Sequence, residues 1–587
     1  MSKTYNYLFI YLSCVLLVLL GCQPLATNAD CINGSAKSIS QYNITFTFDK
    51  QVPCGQFVNG DYWVTPAPAA AGSASPTVTI ISITPDFNGT FHGWEVNPTS
   101  WVQNGFDYEI DGFNKSLVPT LPYAAAVNSS VVKAISETGV DRCDNHHGCL
   151  LTAAVLTVLE KAPPANTFRP SYFGKVKKQY SANNLRSSIL PNLAPTAETP
   201  THAYMMSRFQ RVQLDHYKYW QGRYLHPTLN MADYGAQIAS DSGDGALYLT
   251  LSMTVAQKKE FLILYTQACL DYAGMLFAGV TWQADGGHGS GRKMPVAFAA
   301  VITGDQDIYN RISNVTPNTF GEDGQLYYSK NASRVLWGQI ACTWDDYWYY
   351  ILNAPDGQKD CADPYGYIDG GIPDESSYQF CCTSASWRST ALVLRIIPGL
   401  ACAFNFDYFL QYADRWHYGG VWTAPDPFTK SAPGGVLGTP SRFGTLNGTL
   451  AGQGYYSSDF SLNMWNTYRM SGLANQTSTC TGPFTTAGST TSAGTTVSPT
   501  TSTSTTSAGP STTTGSPATT ITTSAGPSTT TTTSSTSAAA TTSTTSSTTT
   551  AAPSTTSTTT SRQPSSAIKV AVSSMMLLAF IFVAIML

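Results

Sequence analysis

The stretch Trp282-Gln-Ala-Asp285-Gly-Gly-His288-Gly-Ser-Gly-Arg292-Lys293 sets one acid, one imidazole and two cations among four glycines. Glycine lets a backbone take φ > 0 and come close to another molecule. A loop of that composition, lying between two apolar segments, is where a catalytic or ligand-binding site can be built. The competing reading is a tight turn between helices with solvated charges. It is not a phosphate loop, because its spacing fails the Gly-x4-Gly-Lys-Ser/Thr pattern.

Other groups with chemical potential lie on both sides of it. Arg208, Arg211, Asp215, His216 and Arg223 fall in a stretch from Ser207 to Tyr224 whose apolar residues sit near helical spacing. His226-Pro227 and Asn230-Met-Ala-Asp233-Tyr234-Gly235 follow, and Asp241-Ser-Gly-Asp244 reads as an N-cap and turn. A long polar loop runs from Asp363 to Tyr378 and includes Tyr365, Asp369, Asp374 and Glu375. Tyr412, Asp414, Arg415, Trp416 and His417 close the last apolar helix. Taken singly, each is more often a cap, a salt bridge or a solvated face than a catalyst. The run Cys342 to Tyr350, with Trp344, Asp345 and Asp346, is harder to bury whole, since its aspartates need water, partners or a cleft. Flat Tyr and Trp rings suit the C–H faces of sugars as well as a core. Cys143-Asp-Asn-His146-His147-Gly-Cys149 reads as a disulfide loop at a helix start rather than a zinc site, because adjacent histidines on a loop rarely converge on one point. No metal and no cofactor is implied.

The fold class read from the pattern is α+β. Residues 30–130 form a β-rich module: Asn43-Ile-Thr-Phe-Thr-Phe alternates as a half-buried strand does, Tyr62-Trp-Val and Thr77-Val-Thr-Ile-Ile-Ser-Ile are further strands, and Asn-Gly pairs supply turns. Residues 131–473 read as helical. His147 to Lys161 is apolar enough for a helix that ends at Pro163-Pro164. Thr254-Val-Ala-Gln257 is a capping box opening a helix to about Phe277 that is apolar on nearly all sides. Pro295 to Ile302 begins another, and the run Ser384 to Trp416 should break or kink at Pro398. Helices apolar all round must be buried between other helices, and several in succession without strands predict an incomplete α/α toroid.

The ends carry processing signals. Lys3 followed by an apolar run to Leu20, then Thr27-Asn-Ala29, predicts a signal peptide over 1–29; Leu19-Leu-Gly-Cys22 offers a lipoprotein box as a second reading. Residues 474–565 are mostly Ser and Thr with Pro, Gly and Ala, which reads as a disordered, O-glycosylated, mucin-like stalk reaching on the order of 300 Å if extended. Small residues at Ser565-Ser-Ala, a spacer and a terminal apolar tail match a GPI-attachment propeptide over 566–587, with Ser565 or Ser566 preferred for attachment. The protein is thereby placed on the extracellular face of the plasma membrane. Of thirteen cysteines, Cys14 and Cys22 leave with the leader, so the mature chain keeps an odd number. Cys31 with Cys54 can close a loop, as can Cys143 with Cys149, whereas adjacent Cys381 and Cys382 are expected to take different partners. N-glycosylation sequons stand at Asn33, Asn43, Asn88, Asn114, Asn128, Asn314, Asn331, Asn447 and Asn475. A formal net charge of −4 argues against nucleic acid as a partner.

The order of these parts resembles secreted polysaccharide lyases of the alginate-lyase or heparinase type, built on an α/α toroid. The resemblance lies in the aromatic helical region and in the loops Asn230 to Gly235, Asp285 to Lys293 and Tyr365 to Tyr378. It implies a polysaccharide substrate bearing uronic acids and cleavage by β-elimination. His288 is then the base, Tyr234 the acid with Tyr365 or Tyr378 as substitutes, and Arg292 and Asn230 hold the uronate carboxylate. Trp282, Asp285, Lys293, Trp344 and His226 would line the substrate. A glycoside hydrolase on the same scaffold is the alternative; it needs two carboxylates about 5–10 Å apart, for which Asp285 with Asp345, Asp346 or Glu375 are candidates. A cell-surface adhesion or glycan-binding protein without turnover is the third reading.

Overall fold

Alternation of apolar and polar residues builds the first strands of the chain. In this computed structural model the described residues are 31, 34–67, 76–144, 147–218, 220–329, 333–338, 369, 378–420 and 450–471. The leader, stalk and attachment signal read from the sequence lie outside them, as do Asn33, Asn331, Trp344, Asp345, Asp346, Tyr365, Glu375, Asn447, Asn475 and Ser565. Strands β1 (Ser35–Gln41) and β2 (Ile44–Gln56) form a hairpin through Tyr42-Asn43, both at positive φ. Ile44, Phe46 and Phe48 of β2 turn inward as the pattern predicts. Then follow β3 (Tyr62–Val64), β4 (Thr77–Thr84), β5 (Trp94–Val96), β6 (Tyr123–Ala126), β7 (Ser129–Ser136) and β8 (Leu150–Val158). The sheet order is β5-β7-β8-β3-β2-β4-β6, with β1 also paired to β2, and β3 runs parallel to β8.

The sheet runs past residue 130, and the helix predicted over His147–Lys161 is the strand β8. The physical reason is burial on both faces. Ala154, Leu156 and Val158 of β8 enter a core with β1–β4, while Ala153 and Val155 enter a second core shared with the helices. Val131 and Val132 of β7 divide in the same way. A strand covered on both sides loses its alternation and reads as a continuous apolar run.

Among the described residues the α-helices of five residues or more are α1 (His202–Phe209), α2 (Gly235–Leu249), α3 (Val255–Phe277), α4 (Lys293–Thr303), α5 (Gln306–Ser313), α6 (Arg388–Ile396), α7 (Leu400–Phe404), α8 (Asp407–Gly419) and α9 (Asp459–Tyr468), and Gly321–Gly324 makes a single helical turn. Thr254 and Gln257 make the predicted reciprocal capping box on α3. Pro295 sits in the first turn of α4, where its missing N–H is not needed. Pro398 separates α6 from α7. A hairpin of β9 (Leu326–Ser329) and β10 (Arg334–Trp337) interrupts the run of helices. A sheet followed by helices makes the fold α+β. The long helix read over Ser207–Tyr224 ends at Phe209. Residues 212–218 carry no regular secondary structure, with 212–217 buried, and a 3₁₀ turn covers Trp220–Leu225. Asp241 and Asp244 lie inside α2 rather than at a cap and turn.

Disulfides join Cys31 to Cys54 and Cys143 to Cys149. Cys381 and Cys382 pair with each other, not with separate partners, and Cys269 is a buried free thiol. Of the described sequon residues, Asn43, Asn88, Asn128 and Asn314 are exposed and Asn114 is half-buried.

One buried cation ties sheet to helices. Arg169 donates from Nε to Asp61, which precedes β3, at 2.5 Å, and from Nη1 and Nη2 to Asp271 of α3 at 3.0 and 2.5 Å. All three side chains are almost wholly buried. Removing one member of such a set strands charge in a low dielectric. Arg169→Met is therefore expected to lower unfolding free energy by about 3–5 kcal/mol in urea denaturation; a change under about 1 kcal/mol, the range of exposed pairs, would contradict the clamp.

Candidate functional site

The glycine loop joins α3 to α4, and several of its polar backbone groups are held by neighbours. Trp282 donates from its backbone to Thr319 at 2.7 Å and from its indole to the carbonyl of Asp215 at 3.0 Å. The amide of Gly287 donates to the Tyr234 hydroxyl at 3.0 Å, and that of Gly291 to Glu322 Oε1 at 2.7 Å. Gln325 donates to the Gly286 carbonyl at 2.5 Å. Arg292 Nη1 donates to the carbonyls of His288 and Ser290 at 2.6 and 2.7 Å. Gly286 and Gly291 take φ of 52° and 96°. At Gly286 a Cβ would lie 2.5 Å from the Tyr378 ring, so both dihedral and space demand glycine.

The loop is anchored on Asp215 in the irregular segment 212–218. Its carboxylate accepts from Arg292 Nε at 2.6 Å, Arg292 Nη2 at 3.1 Å, Tyr272 at 3.0 Å, and pairs with His226 Nε2 at 3.0 Å. Burial opposes the charge, but Arg292 and His226 outweigh it and hold Asp215 well below the usual carboxylate range. His226 Nδ1 faces the Ala232 carbonyl at 2.9 Å.

A pocket of about 160 Å³ opens beside this loop, lined by Lys218, Trp282, Gln283, Asp285, His288 and Arg292 among others. Asp285 and Gln283 are exposed, and Lys218 is half-buried with its amine 4.3 Å over the Trp101 ring. The His288 ring is edge-on to Trp220 at 5.4 Å and stacked with Tyr234 at 6.5 Å and 28°. Tyr456 packs on Tyr234 at 5.3 Å. Burial pushes the Tyr234 hydroxyl far above its ordinary value, so it keeps its proton.

Three loops singled out in the sequence thus meet: Tyr234, His288 and Tyr378 surround Gly286-Gly287. Other candidates sit elsewhere or are committed. Arg292 is 1 % exposed and spends its donors on Asp215 and the loop carbonyls. Lys293 is buried on Asp323 at 2.5 Å. Asn230 is fully buried and donates to the carbonyls of Arg211 and Val212 at 3.2 and 3.4 Å. His226 belongs to the Asp215 network, and Trp282 is stacked on Phe320 at 5.6 Å. Tyr365 and Trp344 lie outside the described residues. Sequence reasoning missed Lys218, Trp220 and Tyr456 as site residues. The signal for Lys218 was the dense polar run Gln213, Asp215, His216, Lys218, too polar for one helical stripe. Among the described residues no group of three His, Cys, Asp or Glu could hold a metal ion.

No family model, curated protein or solved structure matches the chain.

Glu322 gives a test of the loop's anchoring. Burial lifts its carboxyl to about 7, and Oε1 accepts the Gly291 amide. The unfolded carboxyl titrates near ~4.3, so between that value and about 7 the folded state binds more protons. Stability from this group is full at low pH and falls as pH rises through the window. Glu322→Gln keeps the acceptor without the charge. Urea denaturation should find it close to wild type near pH 4.5 and more stable by roughly 1–3 kcal/mol at pH 8; equal or lower stability at pH 8 would contradict the assignment.

Proposed function

We propose that this chain is a glycosylated, GPI-anchored surface protein that cleaves uronic-acid-containing polysaccharides by β-elimination, its helices belonging to an incomplete α/α toroid. The observation that carries the chemistry is the company His288 keeps. It lines a pocket together with Lys218 and Gln283, and its ring is stacked against a tyrosine that burial keeps protonated. The Ser/Thr-rich stretch and terminal apolar tail support the tether.

Elimination needs a neutralised carboxylate, a base and an acid. Lys218 and Gln283 take the carboxylate, the part first assigned to Arg292 and Asn230, whose donors are used within the fold. With that charge met, the proton on the adjacent carbon becomes acidic enough for His288 to remove. Its electron pair forms the new C=C bond as the C–O bond to the 4-linked sugar breaks. Tyr234 returns a proton to the departing oxygen. Hydrolysis ranks below this reading because it needs two available carboxylates. Among the described residues Asp285 is available at the pocket and Asp215 is locked by four hydrogen bonds from three side chains; Asp345, Asp346 and Glu375 lie outside the described residues.

The test is turnover of alginate, glucuronan, heparinoids and pectate by the cell-displayed protein, followed by ultraviolet absorbance. Wild type should raise absorbance on at least one polymer. His288→Ala should lower kcat by about 10²–10⁴-fold, and Tyr234→Phe should also reduce it, with thermal stability retained. New reducing ends without absorbance would move the assignment to a hydrolase. Binding without either product would make this a glycan-binding protein.

A further inference from the structure

Cys381 and Cys382 are joined to each other, and they lie against the glycine loop. Both fall in a single π turn, Gln379–Thr383, closed by the Ser384 amide donating to the Gln379 carbonyl at 3.2 Å. Turns of this kind are uncommon and recur at functional sites. Cys382 is 6 % exposed and belongs to neither main core. It forms a small cluster with Tyr234 and Ala236, against which Tyr378, Cys381 and Tyr456 pack. Tyr234 and Tyr378 are the tyrosines that surround Gly286-Gly287. A Cβ on Gly287 would lie 2.5 Å from the Cys382 carbonyl oxygen, 2.8 Å from Cys382 Cβ and 2.8 Å from the Tyr234 hydroxyl. Only glycine lets the loop come this close to the half-cystine.

The ends of the turn are fastened independently of the disulfide. Gln379 donates to Asp369 and to the Tyr412 hydroxyl, each at 2.8 Å, and Thr383 donates to the Tyr378 carbonyl at 3.0 Å. Just beyond it, the Trp387 indole donates to Ser290 of the loop at 3.3 Å. Between these fastenings the disulfide closes a small covalent ring through the Cys381–Cys382 peptide link. The ring withdraws both residues from most of the conformations that free side chains and backbone explore, and reduction returns them. Cys381 is half-buried while Cys382 is buried, so an incoming thiolate reaches the bond at Cys381. One thiolate of a dithiol attacks Cys381 Sγ and expels the Cys382 thiolate, which takes up a proton. The second sulfur of the dithiol then displaces Cys381. Two electrons and two protons pass to the pair, and the reductant leaves as its own disulfide. Cys31–Cys54 and Cys143–Cys149 lie at the sheet instead, with Cys54 in β2 and Cys149 next to β8.

We infer that the Cys381–Cys382 disulfide is a redox-controlled positioning element of the site: paired, it holds the turn against Gly287 and so fixes the loop that carries His288, and a dithiol that reduces it releases the loop and lowers turnover. The effect on turnover rests on the elimination reading; the effect on the loop does not, and the test reads both. Full-length protein is treated with dithiothreitol, and alkylation with peptide mapping establishes that Cys381 and Cys382 were paired and have opened. Hydrogen exchange in peptides covering Asp285 to Gly289 should then speed by about tenfold or more, while peptides from β7 and β8 keep their rate. Reoxidation should restore slow exchange. The double variant Cys381→Ser, Cys382→Ser should exchange at the faster rate with or without dithiothreitol, which separates this pair from the remaining disulfides. On a uronate polymer that the oxidised protein cleaves, reduction should lower kcat at least about tenfold and leave KM within about twofold, reversibly. Pairing of Cys381 or Cys382 with a different cysteine, loop exchange that ignores opening of the pair, or turnover unchanged by it would each overturn the inference. If the oxidised protein cleaves no uronate polymer, the elimination reading falls, and exchange alone decides whether the pair controls the loop.

Discussion

The carboxylate of Asp215 cannot be left alone where it lies. It is 2 % exposed, and an unpaired charge at that depth costs several kcal/mol. Everything around it answers that constraint. Arg292 comes from the end of the glycine loop, His226 from beyond the 3₁₀ turn, and Tyr272 from α3. Because Arg292 also grips the carbonyls of His288 and Ser290, the loop takes its shape from the same guanidinium that neutralises Asp215. His288 is thus positioned by a charge it does not touch. A group placed by a fixed network has less freedom to lose when substrate arrives, which is where pre-organised sites gain their rate.

The sheet and the helices depend on each other through the same logic at larger scale. Strands β7 and β8 have one face in each core, so neither core is complete without them. Arg169 adds a polar fastening between Asp61 and Asp271. Tyr42 in the first hairpin donates to the Gln210 carbonyl at 2.7 Å, binding the start of the sheet to the segment that leads to Asp215. A β-rich module in front of the helices is therefore part of the framework that carries the loop.

What the sequence revealed followed from local rules. The capping box at Thr254, the alternation around Ile44 to Phe48, the break at Pro398 and the glycine loop each have a short-range cause, and each is present. What it concealed was set by distant partners. Strand β8 reads as a helix because its second covered face erases the period. Arg292 reads as a ligand for substrate because nothing near it in sequence announces Asp215, which lies far upstream. Asp241 and Asp244 read as a cap because their helix is buried, and nothing local announces a polar stripe on a buried helix. The meeting of Tyr234, His288 and Tyr378 was legible as three polar loops, although their contact was not.

A pocket with Lys218 and His288 among its lining opens beside the glycine loop that this network shapes. The central claim is that His288 removes a proton beside a uronate carboxylate. Proton NMR of a uronate-containing oligosaccharide incubated with the folded protein tests it most directly. The account predicts a new olefinic proton on the non-reducing end of the product, growing in step with chain cleavage and absent with His288→Ala. Cleavage that yields only saturated ends, or bound substrate that never changes, would contradict it.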